Sequence, residues 1–96
     1  MQAVVRAYSG KGAKELFDVL EKQKSEVETL MRSVKGFVSY TLMRSADGGI
    51  SITVCQDKAG VEESIQKAKN WVAKNAENTG VSTPKVSAGS VILHIK

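Results

Sequence analysis

The sequence predicts an α+β domain of β-α-β-β-α-β order, and three observations predict it. Two stretches, residues 13–34 and 57–76, carry apolar residues at three- and four-residue spacing, the mark of amphipathic helices. Four short runs rich in β-branched residues flank and separate them, as strands do. Turn-forming Gly, Asp, Asn and Ser stand at the junctions. With 96 residues, the chain has the length of one domain spanning 1–96.

The first strand is read over Gln2 to Tyr8 (QAVVRAY), ended by Ser9-Gly10-Lys11-Gly12. The first helix is expected to run unbroken from Ala13 to Val34. Leu16, Leu20, Val27, Leu30, Met31 and Val34 form its stripe, and Gln23 and Lys24 interrupt that stripe near the middle. Glu15 and Asp18 lie early and Arg32 and Lys35 late, which suits the helix dipole. Gly36 supplies the left-handed position that commonly ends a helix.

Phe37 to Arg44 is read as the second strand and Ile50 to Gln56 as the third, joined at Asp47-Gly48-Gly49 as a hairpin. Asp57 is placed to cap the second helix, whose stripe is Val61, Ile65, Ala68, Val72 and Ala76. Asn78-Thr79-Gly80 ends it, and Val81 to Pro84 connects to a last strand. That strand is expected over Val86 to Ile95, strongest at Val91-Ile92-Leu93-His94-Ile95. Right-handed β-α-β crossovers then give the ferredoxin-like arrangement: a four-stranded antiparallel sheet with both helices on one face.

The other sheet face is left bare. The expected phase turns Ile50, Ile52, Val54, Val91, Leu93 and Ile95 toward the helices. Ser51, Thr53, Cys55, Ile92 and His94 then lie on the uncovered side, beside apolar residues of the first two strands. A half-apolar face of this kind fits a homodimer interface with a cavity in it.

Composition narrows the function classes. Hydrophobic residues at 42% and charged residues at 25% describe a globular chain. The net charge of +4 is spread among alternating acids and bases, the pattern of solvated helix faces. No apolar stretch is long enough to cross a membrane, and Met1 to Tyr8 lacks the build of a signal peptide, so a cytoplasmic location is expected. Cys55 is the one cysteine, which rules out an intrachain disulfide. With His94 as the one histidine, no metal site is expected and no cofactor is called for.

The chain resembles the dimeric α/β-barrel superfamily, and within it the small proteins related to antibiotic-biosynthesis monooxygenases. The resemblance rests on Val34-Lys35-Gly36-Phe37-Val38-Ser39-Tyr40, on Asp47-Gly48-Gly49, on Ala68-x-x-Trp71-Val72 and on Gly89-Ser90-Val91. It implies two ferredoxin-like subunits with their sheets face to face, and a ligand between sheet and helices or inside the barrel. It also implies oxidation of a small aromatic or quinone-like molecule without metal or flavin. Where many relatives carry a tryptophan–acid pair at the end of the third strand, this chain has Cys55-Gln56. The second helix holds no histidine, so the haem-degrading branch is not implied.

The candidate site residues are Arg6, Tyr8, Tyr40, Thr53, Trp71 and His94. Arg6 could hold an anionic or phenolate ligand, or form an ion pair. Tyr8 stands two residues on, and both alternate with Val5 and Ala7 along the strand. Tyr40 could donate its hydroxyl to a ligand oxygen, or be a half-buried aromatic with a wet tip. Trp71 could stack on an aromatic ligand or close the core. Thr53 offers a hydroxyl on the cavity side. His94 could act as a base near neutral pH, or hydrogen-bond at an interface. The run Lys35 to Tyr40 also partly resembles the aromatic motif of RNA-recognition domains, but it opens the second strand. Those domains carry the motif on the third strand, which here (ISITVCQ) holds no aromatic, so nucleic acid is not an expected partner. Two functional classes stay open: a cofactor-independent monooxygenase-like enzyme, and a non-catalytic dimeric module binding a small ligand or a protein.

Overall fold

A computed structural model describes residues 1–96. The strands are β1 (Gln2–Ser9), β2 (Phe37–Ser45), β3 (Gly48–Cys55) and β4 (Lys85–Ser90), in spatial order β2-β3-β1-β4 and antiparallel throughout. The helices are α1 (Ala13–Lys22), α2 (Lys24–Arg32) and α3 (Lys58–Asn75). α1 and α3 pack over β3 and β1, and α2 packs over β2.

The predicted 13–34 helix is two helices. Gln23 leaves helical geometry at φ −112° and ψ 30°, closing α1 and opening α2. Its N–H still donates to the Val19 carbonyl, and its own carbonyl accepts from Glu26 and Val27. The backbone is therefore satisfied across the break. This is where the apolar stripe lapses, and the change of course lets Leu20 and Val27 both reach the core. Downstream, Gly36 takes φ +71° and the Asp57 carboxylate accepts the Gly60 N–H at 3.1 Å, capping α3.

The phase of the sheet is the reverse of the expected one. Val4, Arg6 and Tyr8 on β1, and Gly49, Ser51, Thr53 and Cys55 on β3, are the buried, helix-facing residues. Ile50 and Ile52 point the other way. The reason is steric. A Cβ on Gly49 would lie 2.5 Å from the Phe17 ring, and Cys55 lies against Gly60 of α3. The helices ride so close over β3 that only small side chains fit beneath them, and a period-two strand then sends its large residues to the far side.

The last strand also differs. β4 ends at Ser90, pinned by the Val91 N–H donating to the Met1 carbonyl, and residues 91–96 lie outside the sheet. Ile92 is 97% exposed and Leu93 75%. The strongest β-pattern of the last segment thus has no strand to pair with, because β1 ends at Gln2 opposite Ser90. His94 accordingly stands on a terminal tail, not on a strand.

Candidate functional site

Cross-strand register assembles the site from the sheet upward. Arg6 lies between Ser51 on β3 and Val86 on β4, and Ser51 in turn faces Leu42 on β2. One row along, Val4 pairs with Thr53, and Thr53 with Tyr40. On the helix side these side chains meet Leu20 of α1, Val27, Leu30 and Met31 of α2, and Ala68, Trp71 and Val72 of α3. Together they enclose a small pocket between sheet and helices, ten of whose twelve lining residues are hydrophobic. The Trp71 indole N–H donates to Glu26 at 3.0 Å, which ties α3 to α2 and fixes the ring in the pocket wall. Tyr8 is held edge-on to Phe17, with ring centroids 6.1 Å apart.

The polar floor of this pocket is unusual. Arg6 is only 3% exposed, and its Nε and Nη1 find no hydrogen-bond partner among the protein atoms. The buried Ser51 and Thr53 hydroxyls are likewise unpartnered. None of the ion pairs involves Arg6; they join Arg32 to Glu28, Arg44 to Asp18 and Glu21, and Lys67 to Glu63. Buried polar groups are normally satisfied, and a buried charge without a partner costs several kcal/mol, so the cluster of Arg6, Ser51 and Thr53 is the candidate for ligand contact. Burial raises the Tyr8 phenol above its ordinary pKa, and the Arg6 cation partly offsets this. Tyr40 is also raised by burial, opposed first by the Arg6 charge and further by the Arg6 and Ser51 donors beside its hydroxyl, with Tyr8 adding to the rise. Both tyrosines therefore stay protonated at neutral pH and remain able to donate.

Size decides where a ligand can sit. The enclosed pocket has about 20 Å³ of free volume, room for about one water. A cavity that accepts benzene measures roughly 150 Å³. Two adjoining clefts are large enough. One, of about 370 Å³, shares Arg6, Tyr8 and Val72 with the pocket and opens between α3 and residues 81–86. The other, of about 440 Å³, shares Val27, Met31, Tyr40 and Leu42 and opens between α2 and β2.

Comparison with solved structures identifies the architecture. No family model and no curated protein sequence matches the chain. A monooxygenase of Streptomyces coelicolor, ActVA-Orf6, solved with nanaomycin D, superposes with a TM-score of 0.66 at 18% identity, over 99% of this chain and 89% of that one. SnoaB, a cofactor-independent oxygenase of Streptomyces nogalater, gives 0.66 at 20% identity over 98% and 95%. A dimeric ferredoxin-like protein from an uncultured marine organism gives 0.63 at 10% identity over 99% and 95%. The chain shares the ferredoxin-like fold of these proteins.

Within this fold, the six candidates separate. Arg6, Tyr8, Tyr40 and Trp71 come together around the one pocket. Thr53 lies one row away, fully buried. His94 lines no cavity. Sequence reasoning missed Ser51 as a pocket residue because it placed Ser51 on the uncovered face. The usable signal was strand pairing: a residue opposite Arg6 shares its face. No three His, Cys, Asp or Glu side chains gather as a metal site, and no helix is long and apolar enough to cross a membrane.

Proposed function

We propose that this protein binds a small aromatic or quinone-like molecule between its sheet and helices and oxidises it as a cofactor-independent monooxygenase. The supporting observation is an apolar pocket, walled by Tyr8, Tyr40 and Trp71, that holds the unpartnered N–H and O–H groups of Arg6 and Ser51 and adjoins a cleft large enough for a ring. Such groups recognise a ring oxygen reaching into the small pocket, while the ring itself lies in the adjoining cleft beside Tyr8 and Val72. In the reaction class of an anthrone, the ring CH₂ becomes a carbonyl. One atom of O₂ enters the product and the other leaves as water with the two hydrogens, so the substrate itself supplies the electrons. With the ring in the cleft and its oxygen in the small pocket that Arg6 and Tyr40 both line, Arg6 would stabilise the charge that oxygen gains when the substrate loses its proton to water, and Tyr40 would donate a hydrogen bond to it.

A second reading, a non-catalytic binding module, is favoured by one feature: the pocket lining contains no carboxylate and no histidine to take a proton. Oxygen uptake with a panel of quinols and anthrones, no metal added, separates the two. Turnover that falls in Arg6→Met and Tyr40→Phe but survives in His94→Ala is the expected result. Ligand-induced thermal stabilisation with no oxygen uptake across the panel would leave the binding module.

The working unit is proposed to be a homodimer that pairs its uncovered sheet faces. Ala3, Val5, Ala7, Ile50 and Ile52 form a half-exposed apolar band there, with Met43 exposed at its edge. That a ferredoxin-like protein of the same fold is dimeric supports a dimer here. A buried free thiol fits a cytoplasmic setting.

A further inference from the structure

The cleft between α3 and residues 81–86 has a one-sided charge. Its ten lining residues include two cations, Arg6 at the base and Lys69 toward the rim, and no carboxylate. Ser82 and Thr83 add hydroxyls, and Ile65, Val72, Val81, Pro84 and Val86 add apolar wall. Lys69 is exposed and takes part in none of the ion pairs. The α2–β2 cleft differs, because Glu28 sits there beside Lys24 and Arg32.

Arg6 is therefore a buried cation without a counterion, at the bottom of a cleft with room for aromatic rings. Keeping a guanidinium there is unfavourable until an anion arrives. An oxygen anion on an aromatic ring would accept from one of these unpartnered N–H groups, a charge-assisted hydrogen bond with the rest of the guanidinium charge close by. Resting on the small-aromatic reading above, we infer that the ligand is bound as an anion, a carboxylate or ionised phenol on an aromatic ring. It enters between α3 and residues 81–86 past Lys69, and Arg6 is its counterion.

The test titrates 2-naphthoate and its neutral isostere methyl 2-naphthoate into the intact protein, by ligand-observed NMR. The wild type is expected to bind the anion at least about tenfold more tightly than the ester, the size of one charge-assisted hydrogen bond. Arg6→Met is expected to erase that preference while still binding the ester. Arg6→Lys, which keeps the charge but loses the planar guanidinium donors, is expected to retain only part of it. Lys69→Gln is expected to weaken naphthoate a few-fold and to flatten its salt dependence. Because Arg6→Met removes an unpaired buried charge, its melting temperature without ligand is expected to equal or exceed the wild type's. A purely structural arginine would give a lower one.

Equal affinity for ester and anion in the wild type, or an anion preference that survives Arg6→Met, overturns the charge inference and leaves the aromatic pocket standing. Failure of both probes to bind overturns the inference together with the pocket reading it rests on.

Discussion

Arg6, Tyr8 and Tyr40 form a set in which each residue's chemistry depends on the others. Burial favours the neutral phenol, and the nearby cation only partly opposes it, so both tyrosines keep their protons past the ordinary phenol range. These are the only two tyrosines in the chain. Titration of the folded protein, followed by tyrosinate absorbance, should thus show less ionisation than the unfolded chain at the pH where that chain is half ionised. The sign for stability follows. Above the unfolded value near 10, the unfolded chain sheds protons that the folded one retains. The tyrosine contribution is therefore full below that pH and is lost as pH rises through the folded values. Cys55 behaves similarly. Burial pushes its thiol up, with Asp57 and Glu63 adding to the rise. Its alkylation by iodoacetamide at pH 8 is expected to be slow in the native protein and fast in denaturant, since the thiolate is the nucleophile.

At the level of elements, α3 is the piece whose seating shapes the pocket, through Ala68, Trp71 and Val72. Two residues set its position. Asp57 caps it, so Asp57→Ala should cost about 1 kcal/mol in chemical denaturation. Gly60 lets it approach. An added Cβ there would come within 2.4 Å of the Lys35 carbonyl and 2.9 Å of the Cys55 Cβ. Alanine is normally the better helix former by up to about 1 kcal/mol, but here the clash is with backbone and a buried side chain. Overpacking should win, and Gly60→Ala should destabilise by about 1–3 kcal/mol. A neutral or stabilising Gly60→Ala would show that α3 does not sit this close to the sheet. The Glu63 carboxylate also accepts the Lys35 N–H at 3.0 Å, fastening α3 to the turn that precedes β2.

For the molecule as a whole, the sheet has two faces with different tasks. The helix side carries Arg6, Ser51 and Thr53 beneath the helices. The far side carries Val5, Ile50 and Ile52, with no element of the same chain packed over them as the helices pack over the first. A dimer through that side leaves both clefts on the helix side open to ligand. Sedimentation velocity at micromolar concentration is expected to give a dimer for the wild type. Ile52→Lys, a charge in the middle of the apolar band, is expected to give a monomer with unchanged helical circular dichroism. A wild-type monomer under those conditions would remove the shared-barrel assembly and leave the helix-side cleft untouched.

The sequence by itself determined the order of elements, the hairpin at Asp47-Gly48-Gly49, the cap at Asp57 and the helix-ending turn at Gly36. Each is a local matter: hydrophobic period, turn chemistry or capping acts within a few residues. It also put Arg6 and Tyr8 on one face of β1, because alternation along a strand is local too. Tertiary structure alone decided which face of β3 meets the helices. Alternation fixes that Ser51 opposes Ile50 and Ile52 but not which set is covered, and the choice turned on how closely α1 and α3 approach at Gly49 and Cys55. It likewise decided that β4 stops at Ser90, since a strand lasts only while a neighbour remains to pair with it. Most consequentially for function, it decided that Arg6 would be buried with no acid in reach. That is a relation among four strands and three helices, and no single stretch of the chain contains it.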